Sequence, residues 1–265
     1  MILQCNNSMS YDVLSYIGQE YYKCLYLYID MQQYGCLSEF TKTWLLEDNG
    51  QITAIMLAYH SAMHVYSKQL NFDVQELSKF LLEKNPSIIC ASAELIKLLE
   101  PQMSSNGFIS EYGHIGKFIR CLPSSASCDI RLANKDDIKE IAQLLYDDDD
   151  IGSSYTMEDL VKQIEERLES GFVRSYVIEE DNHVIAHLGT GAEVDKLCTI
   201  SYVITSPEYR GRGLSSSLFS YACNQLNSEG KEIFSVYYPE NSRRLHHKMG
   251  FVDCCEFGKL YRNIQ

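Results

Sequence analysis

The sequence has few basic residues for its length. Its 265 residues include 23 Lys and Arg against 36 Asp and Glu, which gives a formal net charge of −13. Nucleic-acid binding requires clustered Lys and Arg that neutralise phosphates, so this composition argues against DNA or RNA as a partner. The same acidic balance favours a cationic substrate, although net acidity is also a common device for solubility.

The sequence also lacks the cysteine patterns of metal and redox sites. Ten Cys are scattered along the chain, and no C-x-x-C pair is present. Disulfide frameworks are typical of small secreted chains, and zinc sites need ligands at short spacings. Cys254 and Cys255 are neighbours on a predicted strand, so their side chains point to opposite faces. We therefore expect reduced thiols and no bound metal.

Long apolar runs are missing as well. No segment approaches the ~20 apolar residues of a membrane helix. The first residues, Met-Ile-Leu-Gln-Cys-Asn-Asn-Ser, lack the basic start and apolar core of a signal peptide. We therefore expect no membrane association and a cytoplasmic location, with the chain present as a monomer or a homodimer.

A small, polar segment at residues 123–128 is the best candidate for a linker. The length allows two modest domains, which we predict over residues 1–122 and 123–265. In the second domain, a strand at 129–132 and a helix capped by Asn134 come first. They are followed by a helix over 156–168 with Thr156 and Asp159 as its N-terminal box, and by strands at 175–179, 184–188 and 197–204.

The most informative segment is residues 202–219, where an apolar strand stops at Pro207 and a basic, Gly-rich turn opens into a helix. Its skeleton is Arg210-x-x-Gly213-x-Ser215. Glycine lets the backbone approach a ligand closely, and the first amides of a helix have no intrahelical partners. The pattern therefore predicts a phosphate-binding turn, with a plain surface turn as the alternative. It is neither a Walker loop nor a dinucleotide fingerprint.

This segment resembles the pyrophosphate loop of the GNAT N-acetyltransferase superfamily, whose pattern is Gln/Arg-x-x-Gly-x-Gly/Ala. Ser215 departs from the pattern at the last position. Residues 231–251 resemble the second signature of the family: a strand, a helix capped by Asn241 or Ser242, and then Gly250 and Phe251. The resemblance covers residues 128–262. It implies a mixed α/β fold in which a mostly antiparallel sheet is flanked by helices.

The first half repeats part of this plan without the phosphate loop. Residues 44–59 are a strand, turn and strand that parallel residues 176–186, and residues 72–84 are a helix with Asp73 near its start. We interpret residues 1–122 as a degenerate GNAT-like domain that does not bind the cofactor. An unrelated α/β cap is the alternative.

The resemblance implies an acetyl-CoA-dependent N-acetyltransferase without a metal. A primary amine of a small molecule or a peptide would attack the acetyl thioester directly, so none of the Cys need be a nucleophile. Backbone amides of the strand before the loop would hold the pantetheine, and the loop would hold the pyrophosphate. The cofactor-binding residues carried over on this basis are Val203, Ile204, Thr205, Arg210, Gly211, Arg212, Gly213, Leu214, Ser215 and Asn241.

Two catalytic assignments follow from the same comparison. His246 stands where many members have the Tyr that protonates the leaving thiolate, and a surface or packing histidine is its alternative. Glu193 ends a predicted strand where a carboxylate would face the acceptor, which makes it the candidate base. A non-catalytic acyl-CoA sensor and an interaction scaffold without cofactor remain the alternative functions.

Overall fold

The computed structural model describes residues 1–120, 128–148, 152, 155–238 and 240–262. The predicted linker at 123–128 lies outside these ranges except for Cys128. The chain divides into two compact units. Unit 1 comprises Met1–Ile115, Tyr237–Arg243 and Asp253–Gln265, and unit 2 comprises Gly116–Val236 and Arg244–Val252.

The described residues form helices and strands in the following order. The first half contains β1 (Ile2–Gln4), α1 (Ser10–Ile17), α2 (Leu25–Tyr34), β2 (Thr41–Asp48), β3 (Gln51–Tyr59), β4 (Ala62–Tyr66), α3 (Val74–Lys84), β5 (Ile88–Ser92), α4 (Ala93–Ser104) and β6 (Phe108–Phe118). The second half contains β7 (Ile130–Leu132), α5 (Ile138–Tyr146), α6 (Met157–Ser170), β8 (Ser175–Glu180), β9 (His183–Val194), β10 (Leu197–Thr205), α7 (Leu214–Ser228), β11 (Glu232–Tyr237), α8 (Glu240–Lys248) and β12 (Phe251–Arg262).

Unit 1 contains a mostly antiparallel sheet in the order β1-β2-β3-β4-β5-β12. The single parallel pair in this order is β4 with β5, and it runs from Ala62 opposite Ile88 to His64 opposite Cys90. Successive side chains of a strand point to opposite faces. Leu45 therefore packs with α1 and α2, whereas Trp44 and Leu46 pack with α3 and α4.

Unit 2 repeats this arrangement. Its strands are ordered β7-β8-β9-β10-β11, and every pair is antiparallel except β10 with β11. Val177 packs with α5 and α6 on one face, and its neighbours Tyr176 and Ile178 pack with α7 on the other. The predicted fold class is confirmed: each unit is a mostly antiparallel sheet flanked by helices.

Local sequence signals set several helix ends correctly. Thr156 and Asp159 form a reciprocal capping box at the start of α6, and Gly171, with φ of 71°, ends that helix. Asn134 accepts a hydrogen bond from the Asp136 amide, as its position predicts. At α8 the prediction was wrong. The helix begins at Glu240, so Asn241 lies inside the first turn instead of capping it.

No helix in the described ranges is both long and apolar enough to cross a membrane.

Candidate functional site

The candidate site begins where the two parallel strands of unit 2 separate. β10 and β11 are paired from Leu197 opposite Glu232 to Ile200 opposite Ser235. Both strands continue further, β10 to Thr205 and β11 to Tyr237. No later pairing between them is found among the described residues. The backbone of β10 beyond Ile200 therefore has an open edge, and the predicted residues Val203, Ile204 and Thr205 lie on it.

An irregular backbone marks the same part of β10. The register with β9 slips between Ser201 and Ile204, and Tyr202 has φ of 50°. Positive φ is costly for a residue with a side chain, and such residues concentrate at functional sites. The bulge changes the direction of the strand where it leaves β11.

The predicted phosphate loop follows directly. A 3-10 turn at Pro207–Tyr209 leads to Gly211 and Gly213, whose φ angles are 82° and 81°. Gly213 is the N-cap of α7 and has no side chain to cap it. The first backbone bond of the helix runs from the Ser217 amide to the Gly213 carbonyl. The three amides before Ser217 thus face a potential anion with the positive end of the helix dipole behind them.

The residues present fit a pyrophosphate group. A Cβ placed on Gly211 would have no heavy atom within 4 Å, so the space beside the loop is open. Arg210 and Arg212 are both exposed and supply two positive charges. Arg210 donates through Nε to the Thr205 carbonyl at 3.2 Å. Arg212 stacks over Tyr209 with 4.6 Å between the guanidinium carbon and the ring centroid, and it pairs with Glu180 at 3.3 Å.

Ser215, the departure from the family pattern, has a local partner. Its hydroxyl lies 2.8 Å from that of Thr205, which ends β10 and is buried. The hydroxyl thus joins the strand to the first turn of α7. Leu214, the residue before Ser215, has its side chain in the core, so it offers only its amide to a ligand. The serine is compatible with the small residue that the pattern requires.

His246 lies in the core of unit 2. It is 5% exposed, and its ring makes edge-to-face contacts with Phe219 and Phe251. Its Nε2 lies 2.8 Å from the Ser235 hydroxyl, which itself donates to the Ile200 carbonyl. Nε2 is therefore the donor of the His246–Ser235 bond. This geometry favours the packing interpretation of His246 over a role as an accessible acid.

Glu193 has a structural role that the sequence did not indicate. Its carboxylate accepts from Nε and Nη2 of Arg174 at 2.9 and 2.7 Å and from the Thr190 hydroxyl at 2.9 Å. Arg174 also binds Glu229, at 2.6 and 2.7 Å. The Glu193 side chain is 10% exposed. Because both oxygens are bound by neighbours, the geometry does not support the assignment of Glu193 as the base.

Asn241 is exposed in the first turn of α8, in a segment that belongs to unit 1. Its cofactor contact stays a prediction. Val203 through Ser215, by contrast, all lie in unit 2 and in one continuous stretch of chain. Among the described residues, no group of three or more His, Cys, Asp or Glu side chains is arranged to hold a metal ion.

A polar cluster on β9 and β10 was not predicted from the sequence. His187 is 3% exposed, its ring nitrogens make no hydrogen bond of ordinary geometry although the Tyr202 backbone is close, and the Ser201 hydroxyl has no hydrogen-bond partner among the described residues. A signal was present: Gly189 and Gly191 interrupt the strand, and glycines inside a strand mark close approaches of a ligand or a neighbour.

Residues 138–251 match the sequence model of the Acetyltransferase (GNAT) family. This part of the chain is thus a GNAT-family domain. A comparison with curated protein sequences found no match.

Three solved structures resemble the whole chain. A GNAT-family acetyltransferase from Colwellia psychrerythraea has a TM-score of 0.63 at 10% identity, covering 99% of this chain and 100% of that one. A GCN5-related N-acetyltransferase-like protein from Streptococcus suis has a TM-score of 0.60 at 14% identity, covering 97% and 99%. A Drosophila protein has a TM-score of 0.66 at 12% identity, covering 99% and 98%. At these identities the likeness shows the fold, and it extends to the first half.

Proposed function

We propose that this protein is an acetyl-CoA-dependent N-acetyltransferase whose acceptor is a primary amine of a small molecule or a peptide. The observation that carries the proposal is the uncapped start of α7, preceded by two left-handed glycines and by a strand that separates from its parallel neighbour. Family membership of residues 138–251 supports the same conclusion.

In this proposal the chain acts mainly by positioning its two substrates. Amides at the start of α7 bind the pyrophosphate, and the open edge of β10 near Val203 holds the pantetheine and polarises the thioester carbonyl. The amine nitrogen attacks the carbonyl carbon, the C–N bond forms, and the C–S bond breaks with its electron pair staying on sulfur. The proton that the nitrogen loses reaches the released CoA thiolate through solvent. Holding the two reactants in this geometry supplies much of the rate.

A non-catalytic acyl-CoA sensor is the second candidate. The observation that favours it is the state of the two predicted catalytic side chains. His246 is enclosed between Phe219 and Phe251, and Glu193 is bound to Arg174. A protein with an intact cofactor cradle and no acid or base of its own would fit that description.

The test is a binding titration followed by an acceptor screen on the full chain. Calorimetry with acetyl-CoA and with free CoA measures binding, and release of free thiol in the presence of a panel of amines measures transfer. The proposal expects both binding and amine-dependent thiol release. Binding with no release from any amine would favour the sensor, and absence of binding would exclude both candidates.

A further inference from the structure

A polar cluster lies on the face of the unit 2 sheet that packs against α5 and α6. His187 on β9 is opposite Ile204, which belongs to the core formed with these helices. Ser201 on β10 is opposite Gly189, two residues further along β9. Residues two apart on a strand share a face, so His187 and Gly189 lie on the same side of the sheet, and Ser201 lies there with them.

Both polar side chains are short of partners in the described structure. The ring nitrogens of His187 make no hydrogen bond of ordinary geometry, although the Tyr202 backbone lies close enough to act on the ring, and the enclosed Ser201 hydroxyl is not bonded either. Buried polar groups are nearly always paired, because an unpaired group loses its bonds to water without replacement. Two such groups on one face of one pair of strands therefore indicate a place where a ligand group completes the hydrogen bonding.

Two glycines create the room for this cluster. A Cβ on Gly189 would lie 3.3 Å from Cε1 of His187, which is tighter than an ordinary carbon contact. A Cβ on Gly191 would clash with the Thr199 hydroxyl and would be in ordinary contact, at 3.4 Å, with the Ser201 hydroxyl oxygen. A side chain at position 189 would therefore press on His187, and Gly191 leaves room for Thr199 beside Ser201.

A positive charge borders the cluster. Arg167 on α6 donates through Nη2 to the carbonyls of Thr190 and Gly191, at 2.7 and 3.3 Å. Its guanidinium carbon is 5.1 Å from the centre of the Tyr202 ring. The side chain is half-buried, and no carboxylate of the described residues pairs with it. Arg167 therefore brings an uncompensated cation to the edge of the cluster.

The same environment keeps His187 neutral. Burial, together with the nearby charge of Arg167, lowers the pKa of His187 to about 3, and a hydrogen bond with the Tyr202 backbone opposes this only in part. A neutral imidazole presents one donor and one acceptor nitrogen. His187 can therefore accept a hydrogen bond from an uncharged amine, whereas a cationic ligand would be repelled by Arg167.

The cluster also lies beside the part of β10 that is proposed to hold the thioester. Ser201 and Tyr202 directly follow Ile200, the last residue of β10 paired with β11. An amine placed against Ser201 and His187 would be next to the open edge of that strand.

We propose that Arg167, His187 and Ser201 form the acceptor subsite, and that the acceptor amine also carries an anionic group, such as a carboxylate, which Arg167 binds. The inference rests on the proposed function and specifies its substrate class. It also runs against the cationic substrate that the net charge of −13 favours, because the charge beside the site is local and positive.

The test compares amines that differ only by a carboxylate. Thiol release from acetyl-CoA is measured with glycine against methylamine, β-alanine against ethylamine, and phenylalanine against phenethylamine, with spermidine as a polycation. The full chain is compared with Arg167→Gln, with Arg167→Lys, and with Lys162→Gln as the matched control. Lys162 is on the same helix, its side chain is 76% exposed, and its partner Glu166 is 3.8 Å away.

We expect a kcat/KM about 10–100-fold higher for at least one carboxylated amine than for its partner, the value of one charge-assisted hydrogen bond. Arg167→Gln should remove that preference, lowering kcat/KM for the carboxylated amine far more than for its decarboxylated partner. Arg167→Lys should retain part of it, and Lys162→Gln all of it. Calorimetric acetyl-CoA binding should be the same in all four proteins, which shows that each is folded.

Three results would overturn the inference. One is a wild-type preference for spermidine or for the decarboxylated amines. Another is a loss in Arg167→Gln that is equal for both members of a pair, since that would make Arg167 structural. The third is acetyl-CoA binding without thiol release from any amine. Absence of acetyl-CoA binding in the wild type would instead refute the proposed function itself.

Discussion

The start of α7 offers a direct test of the cofactor cradle, because the chain contains a natural example of a blocked one. In the first half, α3 follows β4 as α7 follows β10. Asp73 caps α3, and its carboxylate accepts from the amides of Gln75 and Glu76 at 2.9 and 3.0 Å. Gly213 stands at the N-cap of α7 without a side chain. The substitution Gly213→Asp would place a carboxylate where the cofactor phosphate is proposed to bind.

The expected loss of affinity follows from the amides that are removed from the ligand. An aspartate at position 213 that blocks two helix amides deprives the pyrophosphate of two charge-assisted hydrogen bonds. At 1.5–3 kcal/mol each, the loss is about 3–6 kcal/mol, or roughly 10²–10⁴-fold in Kd. Repulsion between the new carboxylate and the phosphates adds to it.

The matched control is Gly230→Asp. Gly230 follows the other end of α7, its φ of 80° is close to the 81° of Gly213, and a Cβ there meets no heavy atom within 4 Å. Both substitutions introduce one negative charge and a residue with positive φ, which costs about 1–2 kcal/mol. Thermal unfolding should therefore show folded proteins in both cases, with Gly213→Asp no less stable because its charge faces the positive end of the helix.

Isothermal titration with acetyl-CoA is the assay. We expect wild-type affinity in Gly230→Asp and no measurable binding in Gly213→Asp. If Gly213→Asp binds as tightly as Gly230→Asp, the pyrophosphate does not sit on the amides of α7 and the proposed cradle is wrong.

Further predictions concern three side chains. Ser215→Ala introduces the alanine of the family pattern and should change the Kd for acetyl-CoA less than about threefold. The reason is that the serine hydroxyl is bonded to Thr205, and the helix amides bind the ligand. A tenfold loss of affinity by calorimetry would show that the hydroxyl contacts the phosphate. His246→Ala should lower the free energy of unfolding by about 3 kcal/mol, since it removes a buried ring. His246→Phe should keep kcat within about threefold, whereas removal of a true general acid costs 10²–10⁴-fold. Burial raises the pKa of Asp30 to about 8. Between pH 4 and 8 the folded chain therefore holds one more proton at Asp30 than the unfolded chain does. The free energy of unfolding consequently falls as the pH rises through that window. His64, with its pKa lowered to about 4, opposes this below pH 6.5, so the net fall should appear between pH 6.5 and 8 and amount to about 2 kcal/mol. Chemical unfolding should show this fall in the wild type relative to Asp30→Asn. If the free energy of unfolding has the same slope against pH in the two proteins, the prediction is refuted.

The features that could be predicted from the sequence are those fixed by nearby residues. Thr156 and Asp159 are three positions apart, and their capping box needs only a helix start. Gly250 has φ of 93°, so the glycine that ends α8 meets a local backbone requirement. The phosphate loop belongs to the same class, because strand, glycines and helix start are contiguous.

The roles of Glu193 and His246 depended on residues far away in sequence. Glu193 is bound by Arg174, nineteen positions earlier, which in turn binds Glu229, fifty-five positions after itself. An exposed loop glutamate and a glutamate in such a cluster look alike in one sequence. For His246 the spacing to Gly250 matched the family pattern, but its burial is decided by Phe219 and Phe251, which only the folded chain places around it.

The two halves differ in whether one helix start is open or closed to an anion. Each unit has a parallel strand pair that ends early, at His64 and Cys90 in unit 1 and at Ile200 and Ser235 in unit 2. A helix follows the first strand of each pair. In unit 1 the chain supplies its own carboxylate to the helix amides, which stabilises α3 by about 1 kcal/mol and leaves no cradle for a phosphate. In unit 2 the cap is a glycine, so α7 gives up that stabilisation, and its amides remain available to a ligand. Without a ligand, the uncapped start of α7 makes the folded chain less stable than a capped start would. An anion bound to its amides would stabilise the folded chain, and the phosphates of the proposed cofactor would supply that anion.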